Sequence, residues 1–142
     1  MSTHADIWVV DDDEAIRFVL KRALSRRGYQ VECFDRVQAV DEALDGGHPQ
    51  AIITDIRLPD ADGLSVVDML ARRSIAIPVI AMTAYSDLDQ AVSAFQKGVF
   101  EYLPKPFDLD QVISVVERAV AKKELTPQAP PDDRGSRLLG ES

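Results

Sequence analysis

Between residue 5 and about residue 123, short apolar runs alternate with longer stretches whose apolar positions recur every three or four residues. This is the pattern of βα units building a parallel sheet, so it predicts an α/β domain. The predicted strands are 5–10, 30–34, 51–54, 78–82 and 101–103. Most are apolar on both faces, as strands covered by helices on both sides must be. Only 30–34 alternates apolar with polar residues, which predicts an edge position.

The helical stretches carry their own start and stop signals. Ile16, Val19, Leu20, Ala23 and Leu24 form a first stripe that Gly28 is placed to end. Val37, Val40 and Leu44 form a second after Asp35, stopping at Gly46 and Gly47, and Leu64, Val67 and Leu70 form a third. The fourth, Leu88, Ala91, Val92 and Phe95, opens with Ser86 and Asp89 in capping-box register and closes at Gly98. The fifth, Leu109, Val112, Ile113, Val116 and Val120, has Asp108 as N-cap and Gln111 able to reach back. Beyond it, Pro127, Pro130, Pro131, Asp132, Asp133 and two glycines leave no periodic face, which is the composition of a linker.

Composition narrows the class. With 142 residues, 46% hydrophobic and 28% charged, the chain can bury the core of one domain, and neither a disordered nor a membrane class fits. Sixteen basic against 24 acidic residues give a net charge of −8, which argues against a free-standing nucleic-acid or anionic-membrane binder and favours cations and basic partners. Cys33 is the only cysteine, so no internal disulfide or multi-thiolate site can form; it reads as a small apolar filler of its strand. The first residues show no basic and apolar export pattern, and no apolar run reaches the roughly 18 residues of a membrane span. A cytoplasmic location without membrane contact is therefore expected.

In an open parallel sheet, ligands bind beyond the carboxyl ends of the strands. There the chain places Asp11, Asp12, Asp13 and Glu14 after the first strand, Asp55 after the third, Thr83 after the fourth and Lys105, between Pro104 and Pro106, after the fifth. Asp13 alone reads as a helix cap. Asp11, Asp12 and Asp55 crowded together repel, by roughly 4 kcal/mol per pair at 4 Å and an effective dielectric near 20. Lys105 cancels one charge, and a hard divalent ion such as Mg²⁺, held by oxygen donors, suits the rest. A carboxylate beside such an ion is a feasible nucleophile toward a phosphoryl group. His4 and His48 lie at the chain start and in a turn, away from these strand ends, and Trp8 reads as packing.

VVDDDE at 9–14, TDIRLPDADG at 54–63, MTA at 82–84 and YLPKPF at 102–107 resemble, in order, the four signature blocks of bacterial two-component response-regulator receiver domains. IWVVDDDEAIRFVLKRAL, MTAYSDLDQAVSAFQKG and YLPKPFDLD are more narrowly similar to nitrogen-regulation activators of σ54-dependent transcription. The resemblance implies a flavodoxin-like (βα)5 fold, strand order 2-1-3-4-5, with helices on both faces. It implies a regulatory phosphoacceptor domain, not an enzyme acting on a separate substrate, although it assists its own phosphotransfer and dephosphorylation. Asp55 would accept phosphate from a sensor histidine kinase. Asp12, Asp55 and the Arg57 carbonyl would bind Mg²⁺ directly, with Asp11 acting through water. Thr83 would hydrogen-bond the phosphoryl group, Lys105 would pair with it, and Tyr102 would be an aromatic switch that repacks as Thr83 moves. The signalling face would be the fourth helix, fifth strand and fifth helix.

Three positions depart from close relatives: Leu58 stands for the commoner Met, a swap of similar volume, Asp60 for Gly, and Tyr85 for His at a position that tunes phosphate lifetime. RLLGES at 137–142 resembles the opening of the σ54-interacting AAA+ ATPase domain. The expected organisation is thus a receiver at 1–123, a Pro-rich linker at 124–136 and the start of that next domain at 137–142. AAA+ and DNA-binding domains of a longer parent chain would be its downstream partners, with σ54 RNA polymerase and DNA reached only through them, and phosphorylation could drive a homodimer.

Other readings share parts of the pattern. A flavodoxin-like FMN carrier would need donors after the first strand, where Asp11 to Glu14 repel an anion. A haloacid-dehalogenase-type phosphatase needs a second acid two residues beyond its nucleophile, where this chain has Arg57. A receiver of another σ54-activator subfamily, or one that binds partners without phosphorylation, remains as an alternative.

Overall fold

The computed structural model describes residues 6–84 and 98–125. Five parallel strands, β1 (Ile7–Val10), β2 (Val31–Phe34), β3 (Ala51–Asp55), β4 (Val79–Ala84) and β5 (Glu101–Lys105), form one sheet in the order β2-β1-β3-β4-β5. Between them run α1 (Glu14–Ser25), α2 (Val37–Ala43) with a 3-10 turn at Leu44–Gly46, and α3 (Ser65–Arg72), and a C-terminal helix spans Leu109–Leu125. The expected fold class and strand order are both present. The predicted helix at 88–97, its Ser86 and Asp89 cap, Tyr85 and the tail at 126–142 lie outside the described residues.

Strand periodicity sorts the core into two layers, because successive side chains of a strand point to opposite faces. Trp8, Val10, Ile52, Val79 and Ala81 face α2 and α3, where Val37, Val40, Leu44, Val66, Met69 and Leu70 close over them. Ile7, Val9, Ile53, Ile80, Met82 and Leu103 face the other way, under Leu20 and Leu24 of α1 and Val112, Val115, Val116, Ala119 and Val120 of the C-terminal helix. This double burial explains why β1, β3 and β4 read as continuous apolar runs. Strand β2 sits at the edge, as its alternation predicts, and only its Phe34 side chain meets the Trp8 ring edge-on at 5.1 Å.

Local signals acted much as expected. Asp13 caps α1 by accepting from the Ala15 N–H at 2.9 Å, and Gly28 takes a positive φ of 94° in the turn that follows. Asp108 accepts from the Asp110 N–H at 3.0 Å at the start of the C-terminal helix. The α3 stripe differs: Val66, Met69 and Leu70 make its buried face, with Val67 only partly covered. Positions 66, 69 and 70 share one helical face, which packs on the sheet, and Leu64 is buried from the residue before α3.

The strands run slightly past their predicted ends, and that places the polar residues. Asp55, Ala84 and Lys105 are the last residues of β3, β4 and β5. After Asp55 the chain doubles back: the Gly63 N–H bonds the Ile56 carbonyl at 2.6 Å, Arg57 bridges Asp62, and the Leu64 N–H bonds the Asp62 carboxylate at 2.8 Å. Gly63 lies so close to β3 that a Cβ would be driven into the Asp55 carbonyl oxygen and would stand 3.0 Å from the Thr54 hydroxyl. Backbone cannot yield there without moving the strand end. Gly63→Ala is therefore expected to lower unfolding free energy by about 2 kcal/mol or more, measured by urea denaturation; an unchanged midpoint would show that the loop does not bear on β3.

Candidate functional site

The carboxyl ends of β1, β3 and β5 bring four charged groups together. Asp11 follows β1, anchored through its own N–H to the Phe34 carbonyl at 3.0 Å. Its carboxylate is wholly buried: one oxygen accepts from the Asp13 N–H at 2.9 Å, the other from the Lys105 ammonium at 3.0 Å. Asp55 accepts from the same ammonium at 3.0 Å and from the Arg57 N–H at 3.2 Å. Asp12 is exposed, yet Asp11, Asp12 and Asp55 each offer an oxygen within 4.8 Å of the others.

Thr83 is buried at the end of β4, where the register sets it opposite Pro104 and sets Ala84 opposite Lys105. Tyr102 lies opposite Ala81, its half-buried ring packed on the layer that contains Trp8. Thus Asp11, Asp12, Asp55 and Lys105 converge as the strand ends predicted, Thr83 stands one strand away, and Tyr102 occupies the layer beneath. Arg57 is an exposed residue whose backbone N–H is turned to Asp55. One residue went unnoticed in the sequence: Arg17 of α1 donates to the Asp11 carbonyl at 2.6 Å and pins the β1–α1 turn from below. Its place in the helix, six residues on, carries no pattern that marks it.

Charge and burial oppose one another here. Burial pushes the Asp11 carboxyl above its ordinary range, against the pull of the Asp13 N–H and Lys105. Burial also works against the Lys105 ammonium, but its hydrogen bonds to Asp55 and Asp11 outweigh it and raise its pKa. For Lys105, then, the stabilisation is complete at neutral pH and is lost only as pH rises through that raised value. Asp11 acts with the same sign at lower pH: its raised acid pKa means that folded stability falls as pH rises from the ordinary carboxylate value through the raised one and the buried carboxylate ionises.

Three carboxylates against one ammonium leave two negative charges in a ring of hard oxygen donors. That donor set fits a divalent cation of the Mg²⁺ kind. Both Asp11 oxygens are already engaged, whereas Asp12 faces solvent. The Asp55 oxygens are engaged as well, by Lys105 and the Arg57 N–H, so Asp12 is the most open of the three carboxylates. In metal-free protein, Asp12→Asn is expected to raise the unfolding temperature by a few degrees, since it removes a repelling charge, and to shrink the further rise that Mg²⁺ produces in the unsubstituted protein. Identical Mg²⁺ responses in a thermal melt would exclude Asp12 from the site.

Comparison with known proteins accords with this geometry. Residues 7–117 match the response regulator receiver domain family. The DNA-binding transcriptional regulator NtrC of Escherichia coli strain K12 is 50% identical over 115 residues, and that of Proteus hauseri 48% over 115 residues. In each case the match covers 81% of this chain and 24% of the relative, so the chain spans about a quarter of the length of the curated relatives it matches. The solution structure of the apo receiver domain of nitrogen regulatory protein C superposes with a TM-score of 0.75 at 47% identity, over 84% of this chain and 97% of that one.

Proposed function

Because the chain belongs to the response regulator receiver domain family, and is thus a regulatory domain akin to those of NtrC-like regulators, we propose that Asp55 accepts a phosphoryl group from a sensor histidine kinase. The observation that supports this most is the clamp around Asp55: Lys105 at 3.0 Å holds one carboxylate oxygen, the Arg57 N–H holds the other, and Asp11 and Asp12 each bring an oxygen within 4.8 Å, a set that could hold a divalent ion.

In this reading a carboxylate oxygen of Asp55 attacks the phosphorus of a phosphohistidine, the P–N bond breaks, and the imidazole leaves with its electron pair. Asp12, Asp55 and the Arg57 carbonyl would hold Mg²⁺, with Asp11 acting through water, and the ion would supply charge neutralisation for the transferring oxygens. Lys105 is the group best placed to change partners: its ammonium, shared between two carboxylates, can follow the negative charge onto the phosphoryl oxygens. The Thr83 hydroxyl would hydrogen-bond that group, and the resulting shift of the β4 end would let the Tyr102 ring repack against the layer it now half covers. The acyl phosphate is ended when water attacks phosphorus and Asp55 is regenerated.

The relatives' greater length supports a wider arrangement. The receiver occupies 1–123, a linker 124–136, and 137–142 begins an AAA+ module that acts with σ54 RNA polymerase, DNA being contacted by a further domain. Phosphorylation then switches this downstream activator, in nitrogen regulation, in the cytoplasm, with receiver pairing as an added means of control. Among the described residues no helix is long and apolar enough to cross a membrane.

Incubation with Mg²⁺ and acetyl phosphate, or with phosphorylated kinase, followed by intact-mass measurement, tests the assignment. A single phosphoryl adduct is expected in the unsubstituted protein and none in Asp55→Asn. An undiminished adduct in that variant would place the acceptor elsewhere.

A further inference from the structure

Helix α2 begins without a cap of its own. Arg36, the residue before it, is extended (φ −159°, ψ 162°) and makes no side-chain cap bond, and its guanidinium is paired with Asp35 at 2.9 and 3.1 Å. No acid lies in the first turn. The leading N–H groups of a helix nevertheless need acceptors. Both are found across the fold: the Asp60 carboxylate, at the tip of the loop after β3, accepts from the Val37 N–H at 3.0 Å with one oxygen and from the Gln38 N–H at 3.0 Å with the other. Partial burial works against the Asp60 charge, yet these two N–H groups hold its carboxyl below the ordinary range.

The same loop carries the Arg57 carbonyl. Only Leu58 and Pro59 separate Arg57 from Asp60, and proline fixes one of the few soft dihedrals between them. The loop root is held by the Arg57–Asp62 bridge and by Gly63 against β3, and Leu58 and Ala61 pack on the apolar layer under α2. Asp60 is the polar tie at the tip, so freeing it leaves the loop held by its root and by the packing of Leu58 and Ala61 alone.

We propose that Asp60 is a positioning residue, which fastens the loop bearing the Arg57 carbonyl to the N-terminus of α2 and thereby sets the affinity of the acidic site for its divalent ion. The proposal rests on the reading of Asp11, Asp12 and Asp55 as that ion's site. Asp60 touches neither ion nor phosphoryl group; it acts through the backbone of its own loop. By linkage the effect is reciprocal: ion binding tightens the contact between Asp60 and α2.

Calorimetric Mg²⁺ titration of the unsubstituted chain, Asp60→Ala and Asp60→Asn tests this. Asp60→Ala is expected to bind about tenfold more weakly, the usual scale for losing a group that orients a metal's ligand. Asp60→Asn removes the charge but keeps an oxygen acceptor, and is expected to restore most of the affinity. A merely electrostatic role would leave Asn as weak as Ala, and a merely structural one would lower the unfolding temperature in EDTA with no change in Mg²⁺ affinity; either result overturns the proposal. Should Asp60→Ala fail to fold, amide exchange in the unsubstituted protein decides: saturating Mg²⁺ is expected to slow exchange at Val37 and Gln38, and unchanged exchange contradicts the coupling. Absence of Mg²⁺ binding by the unsubstituted chain defeats the metal reading itself, and the role of Asp60 with it.

Discussion

The Lys105 ammonium, held 3.0 Å from Asp11 and 3.0 Å from Asp55, is the contact on which the upper edge of this sheet depends. Without it a wholly buried carboxylate would have only the Asp13 N–H to oppose its desolvation, and Asp55 would face Asp11 and Asp12 uncompensated. With it, the edge is tolerable but still carries excess negative charge. That residual charge is what makes the edge chemically useful: it attracts a divalent cation, and once a phosphoryl group arrives, the ammonium has a new place to go. Stability and reactivity therefore draw on one and the same pairing.

The rest of the fold serves to hold these ends in register. Burial of β1, β3 and β4 on both faces leaves little freedom to slide, because a shift by one residue would exchange the two apolar layers. Lys105 reaches its partners across a fixed ladder, from β5 past β4 to Asp55 of β3 and beyond it to Asp11 after β1. The close approach of Gly63 to the Asp55 carbonyl and the grip of Arg17 on the Asp11 carbonyl hold the two strand ends. Arg73 ties α3 to Asp41 and Asp45 near the end of α2, and Asp60 ties the loop before α3 to the start of α2.

What could be read from the sequence was what repeats or what is placed by repeats. Apolar runs and helical stripes mark the five strands and the described helices, and the ends of those runs mark Asp11, Asp12, Asp55 and Lys105. Asp13 and Asp108 were legible as caps because a cap acts within two or three residues of itself. Asp60 was visible as a departure from its relatives, but its partners lie 22 and 23 residues earlier and nothing local points to them. Gly63 and Arg17 were hidden for the same reason: close approach and a side chain reaching a distant carbonyl are products of the assembled fold. Val66 and Met69 lie outside the stripe read as Leu64, Val67 and Leu70; they are buried because the assembled fold turns their side of α3 to the core, which spacing alone does not single out.

A double-mutant cycle on the metal-free protein tests the central pairing most directly, using urea unfolding of the unsubstituted chain, Lys105→Met, Asp11→Asn and the two combined. Lys105→Met leaves the buried Asp11 carboxylate without its ammonium, and Asp11→Asn takes from Lys105 one of its two acceptors, so the pair is expected to cost less than the sum of its parts, with a coupling of about 1 kcal/mol or more. Additivity within roughly 0.5 kcal/mol would contradict the view that Lys105 and Asp11 sustain one another at the edge of the sheet.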